Sequence, residues 1–164
     1  MNEEMADAIL ESVLDICRGY LSLEICSGIR HEEVSLEILE ALEGLSVSQE
    51  TTTVVSFTGA LRGAVVLRGS VSIALLLVSA LAGKRFDSLA GQAVEVLGEL
   101  ADLIAGGIRT RLSAHGEIRL TPPLVVIGSR YALYNARIFS RARQFFQVEE
   151  GTFFVECYYL KDSA

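Results

Sequence analysis

The chain has 164 residues, of which 51% are hydrophobic and 21% charged, with 14 Lys and Arg against 21 Asp and Glu. This length and apolar content exclude intrinsic disorder and lead us to expect one domain over residues 1–164. The formal net charge of −7 argues against binding to nucleic acid or to an anionic membrane surface, because both need a basic protein surface.

The longest apolar stretch, GSVSIALLLVSALAG, has 15 residues between Arg68 and Lys84. A membrane-spanning helix needs about 20 residues, so this stretch predicts a buried core helix instead. The N-terminus MNEEMADAIL carries acids where a secretory signal would carry Lys or Arg. We therefore expect a cytoplasmic protein.

The cysteines and histidines give no sign of a disulfide or a metal site. Cys17, Cys26 and Cys157 are far apart and odd in number, which predicts buried, reduced thiols. His31 and His115 have no second ligand at metal-binding spacing, so no structural zinc is expected.

The N-terminal part of the chain predicts helix. Over residues 3–25, apolar side chains recur at three- and four-residue steps, and Asn2 is a candidate cap. The members of this apolar face are Ile9, Val13, Ile16 and Tyr20. Residues 31–44 fit either a strand or a short helix, and the helix is favoured.

A β-hairpin is predicted next, from two runs rich in β-branched residues. The runs cover residues 51–57 and 64–67, and Gly59 and Gly63 bracket the connection between them. Helices are then predicted over residues 71–82 and about 87–112, with Gly83 as a left-handed cap of the first.

The C-terminal part predicts strands. Pro122 and Pro123 place the start of an extended segment at a sheet margin, and that segment enters a buried strand. Strands at about 136–148 and 152–160 follow, joined at residues 149–151. The second has apolar residues on both faces, which indicates cover on both sides or a sheet edge buried in an oligomer. This grouping of elements predicts an α+β fold with an antiparallel sheet.

The helix predicted at 87–112 carries an acidic face. At 100° per residue, Glu95, Glu99 and Asp102 lie opposite the apolar side chains. Those apolar side chains are Val96, Leu100, Leu103 and Ile104, and the glycines that fall near the acids are Gly91, Gly98 and Gly106. Helical glycines and neighbouring like charges both disfavour a helix. The face is therefore either an ordinary solvated surface, which composition alone favours, or a docking surface that a partner backbone can approach closely.

Two further features of this helix have simpler interpretations. The carboxylates have no His and no loop ligand beside them, so they make a poor metal site. Arg109 and Arg111 suit the negative end of the helix dipole and are interpreted as solvated helix-end residues.

Three blocks of the chain, FTGALRGAVVL, GELADLIAGGIRTRL and LTPPLVVIG, resemble the CheX/CheC family of chemotaxis phosphatases, and its CheX branch in particular. The resemblance implies a CheC-like α/β sandwich, in which an antiparallel sheet packs with two long central helices and an N-terminal helix. It also implies removal of the phosphoryl group from the aspartate of a CheY-like response regulator. The family members resembled here are homodimers without a cofactor of their own, and Mg²⁺ belongs to the regulator.

The resemblance also assigns site residues. Glu99 matches the family glutamate, which would pair with a regulator lysine, and the family asparagine is replaced by Asp102. The residue at 102 would orient the attacking water, while Glu95, Gly98 and Gly106 would contact the partner. An ionised Asp keeps an acceptor, loses the amide donor and adds negative charge. Asp102 therefore either lowers activity or serves as a general base.

Three functions stay open at this point. The favoured one is a response-regulator phosphatase, and close behind it is a non-catalytic module that binds or senses a regulator. The third is an unrelated structural domain that assembles through its apolar strands.

Overall fold

A computed structural model describes residues 1–23, 50–128, 139–148 and 151–161. Its helices and strands, in chain order, are α1 (Asn2–Ile16), β1 (Glu50–Gly59), β2 (Leu61–Ser70), α2 (Val71–Ala82), α3 (Gln92–Arg111), β3 (Ile118–Leu120), β4 (Leu124–Gly128), β5 (Ser140–Val148) and β6 (Gly151–Lys161). A π-helical turn, Cys17–Leu21, continues α1, and a 3₁₀ turn, Ser113–His115, follows α3. The predictions for residues 31–44, His31 and Cys26 lie outside the described residues.

The described strands form one antiparallel sheet with the order β5–β6–β2–β1. Two short strands share the far side of β1, where β3 pairs with Phe57–Gly59 and β4 pairs with Glu50–Val54. Helices α1, α2 and α3 contribute to a single apolar core with β1, β2, β5 and β6. The predicted α+β class with an antiparallel sheet and three helices is confirmed.

The predicted hairpin is β1–β2, with its turn at Gly59 and Ala60. Gly59 has a φ of +113°, and a side chain there would also meet the carbonyl of Glu117. Gly63 was expected at the same turn, but it lies within β2. A Cβ at Gly63 would overlap the Tyr158 carbonyl oxygen of β6, so the glycine is needed where two strands approach closely.

The N-terminal helix ends earlier than predicted. Regular α-helix stops at Ile16, and after the π-helical turn Ser22 adopts a left-handed conformation with φ of 50°. A π-turn holds more residues than an α-turn, so it rotates later side chains around the axis. Tyr20 is therefore 61% exposed instead of facing the core with Ile9 and Val13.

Two predictions about capping have opposite outcomes. Asn2 does not cap α1, because Met1 occupies the cap position and the Asn2 side-chain oxygen accepts a hydrogen bond from the Tyr159 hydroxyl. The apolar helix α2 does end at Gly83, whose φ of +67° is left-handed as predicted. Its N-terminus is capped by Ser70, whose hydroxyl accepts from the Ile73 amide at 3.2 Å. No helix in the described part of the chain is long and apolar enough to cross a membrane.

Strand β4 differs from its prediction. Pro122 and Pro123 do lie at the sheet margin, but among the described strands the one that follows pairs on one side only, and Leu124 is 63% and Ile127 40% exposed. The prediction of a buried strand was wrong because an apolar run cannot show whether a neighbour pairs beyond it. Strand β3, only three residues long, was not predicted.

The position of β6 in the sheet bears on its apolar residues on both faces. It lies between β2 and β5 and is therefore an interior strand of the sheet. Val155 and Cys157 belong to the apolar core, whereas Glu156 is fully buried on the opposite face. Its carboxylate accepts hydrogen bonds from Arg143 at 2.9 Å and from the Tyr158 hydroxyl at 2.7 Å. Both edges of β6 are thus paired within the sheet, so the strand is not a sheet edge buried in an oligomer.

The described cysteines are free and buried, as predicted for Cys17 and Cys157. Burial raises the pKa of the Cys17 thiol to about 12 and also raises the pKa of Cys157. Both thiols therefore stay protonated at neutral pH and are poor nucleophiles.

Candidate functional site

Helix α3 presents the predicted acids to solvent. Glu95, Glu99 and Asp102 are exposed, and the opposite face of the helix is buried in the core. That buried face consists of Ala93, Val96, Leu97, Gly98, Leu100, Ala101, Ile104, Ala105 and Ile108. The predicted core residue Leu103 is partly buried and packs at the edge of this face. The helix begins at Gln92 rather than at 87, so Gly91, with φ of +56°, precedes the helix and is not part of the acidic face.

The chemistry of the site centres on Glu99 and Asp102, which lie one helical turn apart. The pKa of the Asp102 carboxyl is raised above its ordinary value. Partial desolvation is the larger cause, and the neighbouring charge of Glu99 is the second. Asp102 therefore holds its proton more tightly than an isolated surface aspartate.

Gly98 is explained by packing. A Cβ at this position would lie 3.1 Å from Cγ of Pro123, so the proline ring sits directly on the glycine. The contact fixes the segment between β3 and β4 against α3, next to Glu99 in the chain. Gly98 is buried, whereas the acids on either side of it are exposed.

Gly107 is also explained by packing, on the opposite flank of α3. A Cβ there would overlap Oγ of Ser12 and lie 3.1 Å from its Cβ. The Ser12 hydroxyl donates a hydrogen bond of 2.8 Å to the carbonyl of Ile104, which joins α1 to α3. Sequence analysis missed Ser12, although a lone hydroxyl residue on an otherwise apolar helix face is a recognisable signal for such a bond.

Gly106 is not explained by packing. It is partly exposed, and a Cβ built on it would meet nothing within 4 Å. An alanine would favour the helix by roughly 0.5–1 kcal/mol relative to glycine, so the fold itself gives no reason for glycine here.

The two arginines at the end of α3 have different surroundings. Arg111 donates to Glu11 at 3.2 Å, forms an ion pair with Asp15, and donates to the carbonyl of Gly107 at 3.2 Å. It is therefore a bridge between α3 and α1, which corrects its interpretation as a solvated helix-end residue. Arg109 is exposed and has no ion pair with any residue in the described ranges.

The site offers no metal cage of its own. Within residues 1–23, 50–128, 139–148 and 151–161, no three His, Cys, Asp or Glu side chains come together as metal ligands. The exposed acids of α3 instead form a charged stripe on a helix held from both flanks.

Solved structures share this fold. A CheC-like superfamily protein from Shewanella sp. PV-4 superposes with a TM-score of 0.78 at 17% identity, covering 98% of this chain and 99% of that one. CheX of Borrelia burgdorferi, solved as a complex with CheY, BeF₃ and Mg²⁺, superposes with a TM-score of 0.68 at 18% identity, covering 93% and 96%. The CheC-like fold predicted from the sequence is confirmed.

Sequence comparison defines the family. The profile of the family "Chemotaxis phosphatase CheX" matches residues 51–147, more than half of the chain, and this range includes Glu99 and Asp102. The CheY-P phosphatase CheX of Thermotoga maritima is 29% identical over 130 residues, which cover 78% of each protein. This chain belongs to the CheX family of chemotaxis phosphatases.

Proposed function

We propose that this protein binds a phosphorylated CheY-like response regulator and hydrolyses its aspartyl phosphate. The observation that carries the proposal is the exposed pair Glu99 and Asp102, one turn apart on α3 within the range that matches the family. The relative from Thermotoga maritima is named a CheY-P phosphatase, and the Borrelia burgdorferi relative was solved with CheY. Both names support a CheY-like partner for this chain.

Helix α3 is suited to enter a partner's cleft as a rigid body. Ser12 and Arg111 tie it to α1, and Pro123 packs on its opposite flank at Gly98. A site on a fixed helix loses little entropy when it is positioned against a reacting group. In the proposed complex, Glu99 pairs with a lysine of the regulator, and Glu95 and Gly106 belong to the surface that faces it, whereas the predicted partner residue Gly98 is buried beneath Pro123.

Asp102 is proposed to orient the attacking water. The water oxygen attacks phosphorus as the bond to the aspartyl oxygen breaks, and the carboxylate of Asp102 accepts the proton that the water loses. A raised pKa suits this role, because it makes the carboxylate a stronger proton acceptor. No metal bound to this chain enters the step, and Mg²⁺ is held by carboxylates of the regulator.

A non-catalytic binding module is the alternative, and the identity of residue 102 favours it. A carboxylate lacks the amide donor of the family asparagine and repels the phosphoryl oxygens. Two unit charges about 4 Å apart repel by roughly 4 kcal/mol at an effective dielectric of 20, before any compensation by Mg²⁺. Such a module would hold the phosphorylated regulator without turning it over.

Phosphate release from a phosphorylated CheY-like regulator with Mg²⁺ tests the proposal. The protein should accelerate release, Glu99→Ala should abolish the acceleration, and Asp87→Ala, an exposed acid outside α3, should leave it unchanged. Failure to accelerate release from any regulator of the same cell would refute the phosphatase function.

Asp102→Asn distinguishes catalysis from binding alone. If Asp102 is the proton acceptor, the wild-type rate rises with pH as the carboxyl loses its proton through its raised pKa, and Asp102→Asn removes this rise and lowers the rate. If the protein is a binding module, wild type binds without turnover and Asp102→Asn gains turnover.

We further propose that the protein is a cytoplasmic homodimer, as the family resemblance implies. Strand β4 supports this assembly, since it exposes Leu124 and Ile127 and, among the described strands, pairs only with β1, which leaves its other side for a second copy. Light scattering should give the mass of two chains, and Leu124→Lys should shift the population toward monomer. A monomer at micromolar concentration would contradict the assembly.

A further inference from the structure

The exposed face of α3 continues beyond the acids. Residues at steps of four, three, four and three share one stripe of a helix. On α3 this stripe runs through Glu95, Glu99, Asp102, Gly106 and Arg109. At 1.5 Å per residue it is about 21 Å long, with three negative charges at one end and one positive charge at the other.

Arg109 differs from Arg111 in its surroundings. Its side chain is exposed and pairs with no acid in the described part of the chain, whereas Arg111 two residues later binds Glu11 and Asp15. The other polar residue at this end, Thr110, returns its hydroxyl to the carbonyl of Gly106 at 2.9 Å. Among the described residues, Arg109 is thus a cation without an acidic partner, in a chain with an acidic balance of charge.

Arg109 stands beside an apolar depression between α3 and the sheet. Phe57, Ile118 and Leu120 line the sheet side of the depression, and Arg109 is one of the α3 residues that line it. A guanidinium beside apolar groups is less hydrated than one surrounded by water, so a carboxylate that reaches it is bound more strongly.

At Gly106 no side chain stands between the two ends of the stripe. A side chain at 106 would stand between Asp102 and Arg109, and no contact with the described residues requires its absence. A partner surface that touches Asp102 can therefore continue to Arg109 without obstruction.

We propose that Arg109 is a second anchor for the phosphorylated receiver domain, pairing with a carboxylate that lies about 10 Å from the phosphoryl group, seven residues along α3 from Asp102. The inference deepens the proposed phosphatase function and rests on it. It assigns opposite charge preferences to the two ends of one docking stripe, so that acids bind a cation at one end and Arg109 binds an acid at the other. Arg109 acts in binding and orientation, and it takes no part in the reaction itself.

Kinetics with a phosphorylated CheY-like regulator test this assignment. Arg109→Glu should raise KM about tenfold and leave kcat within about twofold, because a charge outside the reacting groups affects association and not the chemical step. Arg109→Lys should retain most of the wild-type KM. Arg85→Glu is the matched control, since it makes the same charge change on an exposed arginine that lies outside α3.

Affinity for the same regulator, activated with beryllium fluoride and Mg²⁺, separates this inference from the proposed function. If wild type binds the activated regulator and Arg109→Glu weakens binding about tenfold while Arg85→Glu does not, the assignment stands whether or not phosphate is released. If wild type accelerates release but Arg109→Glu leaves both KM and affinity unchanged, Arg109 is no anchor and the phosphatase function survives. A fall in kcat alone would also overturn the assignment.

Discussion

At the scale of single residues, Asp102 is the position where the family resemblance implies an asparagine. The replacement keeps the shape of the asparagine and exchanges a hydrogen-bond donor for a titratable oxygen. Sequence alone locates this exchange but cannot give its consequence, because the proton affinity of the carboxyl depends on desolvation and on the charge of Glu99. These are properties of the folded surface.

Glu99→Gln should lower the pKa of Asp102. Removing the neighbouring negative charge favours the ionised form of Asp102, so the pKa falls, but desolvation is the larger cause and keeps it above the ordinary value. Carbon-13 NMR titration of the side-chain carboxyl measures the change. A pKa that rises or returns fully to that of a free aspartate would contradict this account of the site.

At the scale of elements, α3 carries three glycines whose reasons differ. Gly98 leaves room for the ring of Pro123, and Gly107 leaves room for the side chain of Ser12. At Gly106 none of the described residues occupies the space that a side chain would fill. The sequence grouped Gly98 and Gly106 as partner-facing because helical periodicity reports direction around an axis. It does not report what lies opposite, and that information comes only from the packed structure.

Adjacent alanine substitutions in α3 should have opposite effects on stability. Gly106→Ala should stabilise the protein by about 0.5–1 kcal/mol, since it meets no neighbour and improves helix propensity. Gly107→Ala should destabilise it by roughly 1–3 kcal/mol, because the new methyl overlaps Ser12. Urea unfolding monitored by circular dichroism measures both, and equal signs would refute the packing argument.

At the scale of the whole molecule, the class of fold and the acidic helix were predictable, and the arrangement of the sheet was not. A continuous apolar stretch located α2, the spacing of apolar and acidic residues located α3, and runs of β-branched residues located the β1–β2 hairpin. These patterns could not show that β6 is central or that β4 pairs only with β1 among the described strands, because strand order depends on pairing between distant segments. The buried ion pair of Glu156 was also not predictable, because an acid within a strand gives no sign of its buried arginine partner.

Glu156→Gln should destabilise the protein by about 3 kcal/mol or more, because it leaves the buried guanidinium of Arg143 without a counter-charge. The same change at Glu117, which is exposed and pairs with Arg119, should leave the unfolding midpoint almost unchanged. Chemical denaturation of the two variants side by side measures the difference. Similar losses in both would mean that the Glu156 pair contributes no more than a surface contact.

The contacts that hold α3 also decide which molecule has to adjust when two proteins meet. Ser12 and Arg111 contact the helix on one flank and Pro123 contacts it on the other, and these contacts oppose sliding or turning of α3. In the proposed complex, any rearrangement during docking would fall to the regulator, whose own state of activation would set how fast the complex forms. The duration of the signal would then depend on the partner's conformation, because the surface that this protein presents stays the same.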